Sequence, residues 1–229
     1  MNEIETKIKQ LKQEHQFMLS KISHEIRNPV TLINSFLQLL SEKKPEVTEC
    51  EYWDDIMDNM DYLKALLDEL SSYNNSYKLN LSPVYMDAFL EKVAASVRPT
   101  LTYLDIELEC RLRHPLPMLE IDEIKLRQAL LNLIRNSQEA IDGPGKIQIE
   151  AYTEGPRLFL RITDNGCGIP EEYLDTLFDP FITHKTSGTG LGLAITKNIV
   201  EAHKGQISVE SLPQMTAFTL CFPIPEEGL

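Results

Sequence analysis

The sequence of 229 residues predicts an α-helical hairpin that dimerises into a four-helix bundle, followed by an α+β sandwich domain. Two observations support this fold class. The N-terminal part carries apolar residues spaced by threes and fours, whereas short alternating segments and helical segments take turns beyond residue 83. The change of pattern divides the chain into a hairpin over residues 1–76, a linker over 77–83 and a second domain over 84–229.

The hairpin prediction depends on one apolar stripe that is interrupted near Pro45. Two helices with wide apolar faces cannot bury both faces against each other alone, so we expect a homodimer. A hairpin packed on its own C-terminal domain is the alternative. The stripe residues are Ile8, Leu11, His15, Met18, Ile22, Ile26, Val30, Ile33, Leu37 and Leu40 before the break, then Trp53, Ile56, Met60, Leu63, Leu67 and Leu70.

Composition excludes several classes of protein. The net charge of −13 opposes binding to nucleic acid, because an acidic surface repels phosphate backbones. The chain has neither a run of about 18 apolar residues nor the layout of a signal peptide, so we expect a cytoplasmic protein or the cytoplasmic part of a membrane-anchored sensor. Its four cysteines are far apart, which argues against a zinc site or a disulfide framework.

The second domain mixes predicted strands and helices, which indicates a sheet covered by helices on one side. The strands are predicted at Ile147–Glu150 and Leu158–Ile162, and the helices at Met86–Val97, Asp122–Ile141 and Leu191–His203.

Two glycine elements in this domain suggest a ligand beside the backbone. Asp164 begins the first element, with Gly166 and Gly168 two and four residues later, although a surface turn would have the same composition. The second element leads directly into a predicted helix, whose free amides attract phosphates. It consists of Gly188, Thr189, Gly190, Leu191 and Gly192, and a polar segment over residues 183–187 precedes it as a candidate lid.

A third element places Asn132, Asn136 and Glu139 on one face of a predicted helix. Asparagine is a mediocre helix former, and amide and carboxylate oxygens suit Mg²⁺ beside ATP phosphates. An exposed polar face is the alternative interpretation.

In their order along the chain, these elements resemble the N, G1, F and G2 boxes of the GHKL ATPases of sensor histidine kinases. The F box corresponds to residues 177–181. The resemblance implies Asn136 on Mg²⁺ with Asn132 beside it, Asp164 bonded to the adenine amino group, and residues 188–192 on the phosphates. Many relatives carry Lys or Arg where this chain has Glu139, so Lys185 or Arg135 is the candidate for the positive charge.

His24 is the candidate acceptor of a phosphoryl group. It lies off the apolar stripe, with Asn28 one turn away, and Glu25 could hold the proton of the other ring nitrogen. Pro29 removes a helical hydrogen bond and predicts a bend there. The block over residues 24–29 resembles the H box of histidine kinases, which implies His24 as phosphoacceptor, Glu25 as base and Asn28 in phosphatase chemistry. His15, on the stripe, is expected to pack.

Three functions follow from these expectations. The leading one is ATP-dependent autophosphorylation of His24 and transfer to an aspartate of a response-regulator receiver domain. A nucleotide-binding module without catalysis and a regulator dominated by phosphatase activity are the alternatives. The segment over residues 136–140 resembles the sporulation and nitrogen-regulation branches of the family.

Overall fold

The computed structural model describes residues 3–185 and 188–225, without the side chains of residues 3–6 and 8–17. The chain separates into two compact units, Met1–Asn75 and Ser76–Leu229. The side chain of His15, for which packing is predicted, lies outside the described residues, as do residues 186 and 187 of the candidate lid. None of the helices in the described ranges is both long and apolar enough to cross a membrane.

The first unit is a helical hairpin. Its elements are helix α1 (Glu3–Lys43), a 3₁₀ turn (Pro45–Glu49) and helix α2 (Trp53–Asn75). Val30 of α1 is buried against Met60 and Leu67 of α2, and Leu37 and Leu63 pack beside them. The helix continues through Pro29, and the predicted bend there stays a prediction.

The apolar stripe of α1 is wider than the face that α2 covers. Ile22, Ile26, Ile33 and Leu40 are 42%, 41%, 50% and 40% exposed in the single chain. These four positions follow one another by one or two helical turns and therefore share one side of α1. The hairpin consequently leaves a strip of aliphatic side chains in contact with solvent.

The second unit is an α+β sandwich, and the predicted fold class is confirmed. Its helices are α3 (Met86–Tyr103), α4 (Glu123–Ala140), α5 (Glu171–Leu174) and α6 (Gly192–Ala202). Its strands are β1 (Ser82–Tyr85), β2 (Ile106–Leu112), β3 (Met118–Ile121), β4 (Gly145–Glu154), β5 (Arg157–Asp164), β6 (Gln206–Leu212) and β7 (Met215–Pro223).

Five strands form one sheet in the order β2-β4-β5-β7-β6, in which β2 and β4 are parallel and the other neighbours antiparallel. β1 and β3 form a separate antiparallel pair. Helices α3, α4 and α6 supply the apolar residues that meet one face of the large sheet, including Leu90, Leu133 and Val200. Helix α3 is longer than predicted because Leu101 continues its buried face past Pro99.

The start of α4 is tied to two distant segments through Asp122. The carboxylate of Asp122 accepts hydrogen bonds from the backbone N–H of Lys125 (3.1 Å), as an N-cap does, and from that of Asn80 (2.8 Å). Its own N–H donates to Nε2 of His203 at 2.9 Å. Because Nδ1 of His203 lies 2.7 Å from the carbonyl of Ile199, it carries the proton, and this ring is a neutral imidazole.

Candidate nucleotide site

Asp164 is the last residue of β5 and continues the inward-facing series of that strand, after Leu158, Leu160 and Ile162. Its side chain is 3% exposed. One carboxylate oxygen accepts from Ser137 Oγ at 2.8 Å and the other from the N–H of Gly166 at 3.0 Å. Burial raises the pKa of Asp164 even though both hydrogen bonds act to lower it.

This carboxylate retains the capacity to recognise a ligand. Two carboxylate oxygens offer about four acceptor positions, and Ser137 and Gly166 use two of them. A donor such as an aromatic amino group can therefore bind to a carboxylate that protein hydrogen bonds already orient.

The loop after Asp164 passes close to two other backbone segments. A Cβ at Gly166 would lie 2.6 Å from the carbonyl oxygen of Ala140, the last residue of α4. Gly168 has a φ of +79°, and its Cβ would lie 2.6 Å from the carbonyl oxygen of Leu212 at the end of β6. Glycine is required at both positions because no side chain fits. The loop is held between α4 and β6.

The second glycine element packs against the F-box segment before it enters α6. Gly190 has a φ of +70°, and a Cβ there would lie 2.6 Å from the carbonyl carbon of Phe181. The N–H of Phe181 donates to the Gly190 carbonyl at 3.0 Å. Leu191 precedes α6 without any side-chain cap, so the first amides of that helix can bind an anion. Gly188 and Thr189 directly precede Gly190 in the chain.

The two asparagines of α4 have different partners. Asn132 Nδ2 donates to the carbonyl of Gly192 at 3.1 Å and so joins α4 to the first residue of α6. Asn136 Oδ1 accepts from Nζ of Lys185 at 3.0 Å. Glu139 also contacts this ammonium group, 2.5 Å from Oε2, while Nε of Arg135 lies 2.8 Å from Oε1.

The donor set around Lys185 fits a hard cation. An amide oxygen and a carboxylate oxygen are ligands that Mg²⁺ accepts, and the Lys185 ammonium is a positive charge already held by both. Partial burial would raise the pKa of Glu139, but the hydrogen bonds from Lys185 and Arg135 outweigh burial and hold it below the ordinary value. In the described part of the chain, no group of three or more His, Cys, Asp or Glu side chains could hold a metal.

The H-box residues lie on the solvent-exposed side of α1. His24, Glu25 and Asn28 are all exposed, whereas the neighbouring Ser23 is buried, with its hydroxyl donating to the carbonyl of Leu19. The carboxylate of Glu25 is 3.9 Å from the ammonium group of Lys21, a weak and solvated ion pair. The imidazole of His24 is thus accessible to a reactant.

Two contacts in the second unit were not predicted from the sequence. Ser137 supports Asp164, and the sequence signals no more than its position directly after Asn136 in a predicted helix. Tyr173 stacks on His184 with ring centroids 3.5 Å apart and planes 17° apart. Nothing in the spacing of these two residues predicts that contact.

Comparison with known proteins decides the family. Residues 121–226 match the model of the histidine kinase-, DNA gyrase B- and HSP90-like ATPases, and residues 14–75 match that of the His kinase A phospho-acceptor domain. The chain belongs to the sensor histidine kinases. It is 33% identical to the signal transduction histidine-protein kinase AtoS of Escherichia coli K12 over 214 residues, which cover 92% of this chain and 35% of AtoS.

Other kinases of the family give a similar result. The sensory histidine kinase/phosphatase NtrB of Vibrio alginolyticus is 34% identical over 91% of this chain and 62% of its own length. Sporulation kinase A of Bacillus subtilis is 33% identical over 88% of this chain and 33% of its own length. The chain thus spans between a third and two thirds of the length of these relatives.

Solved structures of histidine kinases share the fold. Full-length ShkA in complex with AMPPNP superposes with a TM-score of 0.76 and 26% identity, covering 90% of this chain and 45% of ShkA. AdeS of Acinetobacter baumannii superposes with a TM-score of 0.64 and 27% identity, covering 89% of this chain and 98% of that one.

Proposed function

We propose that this chain phosphorylates its own His24 with ATP and passes the phosphoryl group to an aspartate of a response-regulator receiver domain. The observation that carries the proposal is the buried carboxylate of Asp164, which hydrogen bonds from Ser137 and from Gly166 in the following loop orient, in a chain that also presents His24 on an exposed helix face. The matched phospho-acceptor and ATPase domains support the same activity.

In this proposal the ATPase unit binds and orients the nucleotide. Asp164 accepts a hydrogen bond from the adenine amino group, and Ser137 and the Gly166 amide fix its direction. The amides at the start of α6 bind phosphate oxygens, with Gly190 permitting the turn. Mg²⁺ held by Asn136 would neutralise charge on the phosphates.

His24 is the nucleophile of the proposed reaction. Its neutral ring nitrogen forms a bond to the γ-phosphorus while the bond to the bridging oxygen breaks, which releases ADP. Glu25 accepts a hydrogen bond from the other ring nitrogen and stabilises the positive charge that develops on the ring. In the second step the N–P bond breaks as a carboxylate oxygen of the receiver aspartate takes the phosphoryl group.

We infer that the kinase is a homodimer. The exposed aliphatic strip of Ile22, Ile26, Ile33 and Leu40 is a surface that a monomer leaves in water. A second copy of the hairpin could bury it symmetrically in a four-helix bundle. The response regulator, and any sensor region outside this chain, are further proposed partners.

Dephosphorylation of the partner regulator is a second candidate activity. Asn28 is exposed one helical turn after His24, where its amide could orient a water molecule. The relative NtrB carries the name kinase/phosphatase. Timing the loss of phosphate from a phosphorylated receiver with wild type and Asn28→Ala tests this activity, and equal rates contradict it.

The labelling reaction tests the proposed autokinase. The chain incubated with Mg²⁺ and ATP labelled at the γ-phosphate should acquire a label that is stable in base and lost in acid. His24→Gln should abolish the label, while His114→Gln, at an exposed histidine of the ATPase unit, should retain it. A label that persists in His24→Gln contradicts the proposal, and nucleotide binding without any label indicates a binding module.

A further inference from the structure

The ammonium group of Lys185 occupies a site made of oxygen donors. Its Nζ is 3.0 Å from Asn136 Oδ1 and 2.5 Å from Glu139 Oε2. Asn136 and Glu139 are three residues apart on α4, so both side chains lie on one face of the helix. An amide oxygen and a carboxylate oxygen that converge on a positive charge are also what a divalent cation requires.

Arg135 fixes the other oxygen of the same carboxylate. Its Nε is 2.8 Å from Oε1 of Glu139, so Oε2 alone points toward the ammonium group. The guanidinium fixes the carboxylate's orientation in the way that outer partners hold metal ligands. Glu139 therefore presents one oriented oxygen to whatever cation binds next to Asn136.

The ion pair between Lys185 and Glu139 is accessible to solvent, so another cation can replace the ammonium group. The two side chains are 45% and 34% exposed, and ion pairs that water reaches contribute little to stability. A divalent cation carries twice the charge of the ammonium and can enter from solvent. In addition, a carboxylate beside phosphates is unfavourable unless a cation lies between them.

We propose that Glu139 is a second protein ligand, beside Asn136, for the divalent cation of this kinase, and that the ammonium of Lys185 holds the position until the metal displaces it. The inference rests on the proposed function, since it concerns the metal that accompanies ATP. Its competitor is a direct role in which Lys185 contacts phosphate and Glu139 only orients that lysine.

Manganese binding to the full chain separates the two roles. Free Mn²⁺ is measured by electron paramagnetic resonance during titration, with and without AMPPNP. Glu139→Gln should weaken Mn²⁺ binding about tenfold or more, as the loss of a metal partner does. Lys185→Gln should strengthen it severalfold, because the competing ammonium is gone. Glu120→Gln, an exposed carboxylate on β3, should leave it unchanged.

Three results overturn the inference: no Mn²⁺ binding by the wild type, unchanged binding in Glu139→Gln, or weaker AMPPNP binding in Lys185→Gln without a change for Mn²⁺. Calorimetry of ADP binding in the presence of EDTA distinguishes a wider failure. If the wild type binds ADP without metal and Glu139→Gln does not alter Mn²⁺ affinity, only this inference fails. If the wild type binds neither ADP nor AMPPNP, the proposed function fails as well.

Discussion

Ser137 Oγ donates a hydrogen bond to Asp164 Oδ2 at 2.8 Å, which joins the middle of the site, helix α4, to the end of strand β5. Both groups are buried, so the bond forms where water cannot replace it. The residue that follows Asn136 therefore sets the direction of the carboxylate proposed to recognise adenine.

Ser137→Ala should lower stability and nucleotide affinity together. Loss of a hydrogen bond to this buried carboxylate should lower the free energy of unfolding by about 1.5 to 3 kcal/mol. The pKa of Asp164, already raised by burial, should rise further because the Ser137 bond lowers it. Urea unfolding and calorimetry with AMPPNP at pH 6 and pH 8 measure both effects. Ser208→Ala, at an exposed position of β6, is the control, and equal behaviour of the two variants would contradict the role of Ser137.

Asp164→Asn should separate binding from stability. Loss of a charge-assisted bond should weaken AMPPNP binding by roughly 10- to 150-fold, equivalent to about 1.5 to 3 kcal/mol. Burial raises the pKa of Asp164 above 3.8, so the folded state binds more protons than the unfolded state just above that pH, and stability falls as pH rises through the window. The asparagine introduced at this position does not titrate, so the variant does not lose stability in this way. The free energy of unfolding of the variant minus that of the wild type should therefore increase with pH. An unchanged affinity for AMPPNP would refute the assignment.

Gly190→Ala should disturb the turn before α6 more than conformational strain alone explains. Both Gly190 and Gly143 have positive φ, of +70° and +83°, but only at Gly190 would a Cβ meet backbone, 2.6 Å from the carbonyl carbon of Phe181. Gly143→Ala thus measures the effect of backbone strain alone, which should lower the free energy of unfolding by about 1 kcal/mol. We expect a larger loss in thermal stability and weaker AMPPNP binding only for Gly190→Ala. Similar losses in both variants would show that Phe181 moves aside freely.

His203 should make stability depend on pH. Burial lowers its pKa below 6.5, and in the folded state its Nε2 accepts the N–H of Asp122. Below pH 6.5 the imidazole of His203 binds a proton in the unfolded chain but not in the folded chain. The stability that is present above this pH is therefore lost as the pH falls toward the folded pKa. His203→Gln keeps one donor and one acceptor without titrating. Unfolding free energies at pH 5.5 and 7.5 should differ less in the variant, and an equal difference would contradict this role.

The aliphatic strip of α1 should control the oligomeric state. Burying one isoleucine contributes about 1.5 to 3 kcal/mol, and a two-fold interface counts it twice. Ile33→Lys should therefore shift the protein from dimer toward monomer in light scattering at micromolar concentration. Gln38→Lys, an exposed polar position on the same helix, adds the same charge and should remain dimeric. A dimeric Ile33→Lys would show that this strip is not the interface.

Several features were accessible from the sequence because they depend on local patterns. The spacing of Ile22, Val30 and Leu37 predicted helix α1, and the alternation over 158–162 predicted β5. Gly166, Gly168 and Gly190 were singled out from the sequence, and a Cβ at each of these three positions would lie 2.6 Å from a backbone atom. Their roles toward a ligand stay predictions. The order of these elements along the chain was sufficient to indicate the family.

Partners across the chain could not be predicted in this way. Asn132 donates to Gly192 sixty positions away, and Lys185 reaches Glu139 across 46 positions. Spacing within one helix says which residues share a face but not which distant backbone that face meets. The ion pair between Lys185 and Glu139 is of this kind, and the phosphate contact expected of Lys185 or Arg135 stays a prediction.

The sequence by itself determined the helical hairpin, the sandwich and the residue types at the candidate site, because periodicity and backbone sterics act within a few residues. Only the tertiary structure decided that Ser137 supports Asp164, that His203 accepts from Asp122 and that Lys185 bridges Asn136 and Glu139. Hydrogen bonds and ion pairs act over about 3 Å, and folding alone brings these distant positions within that range.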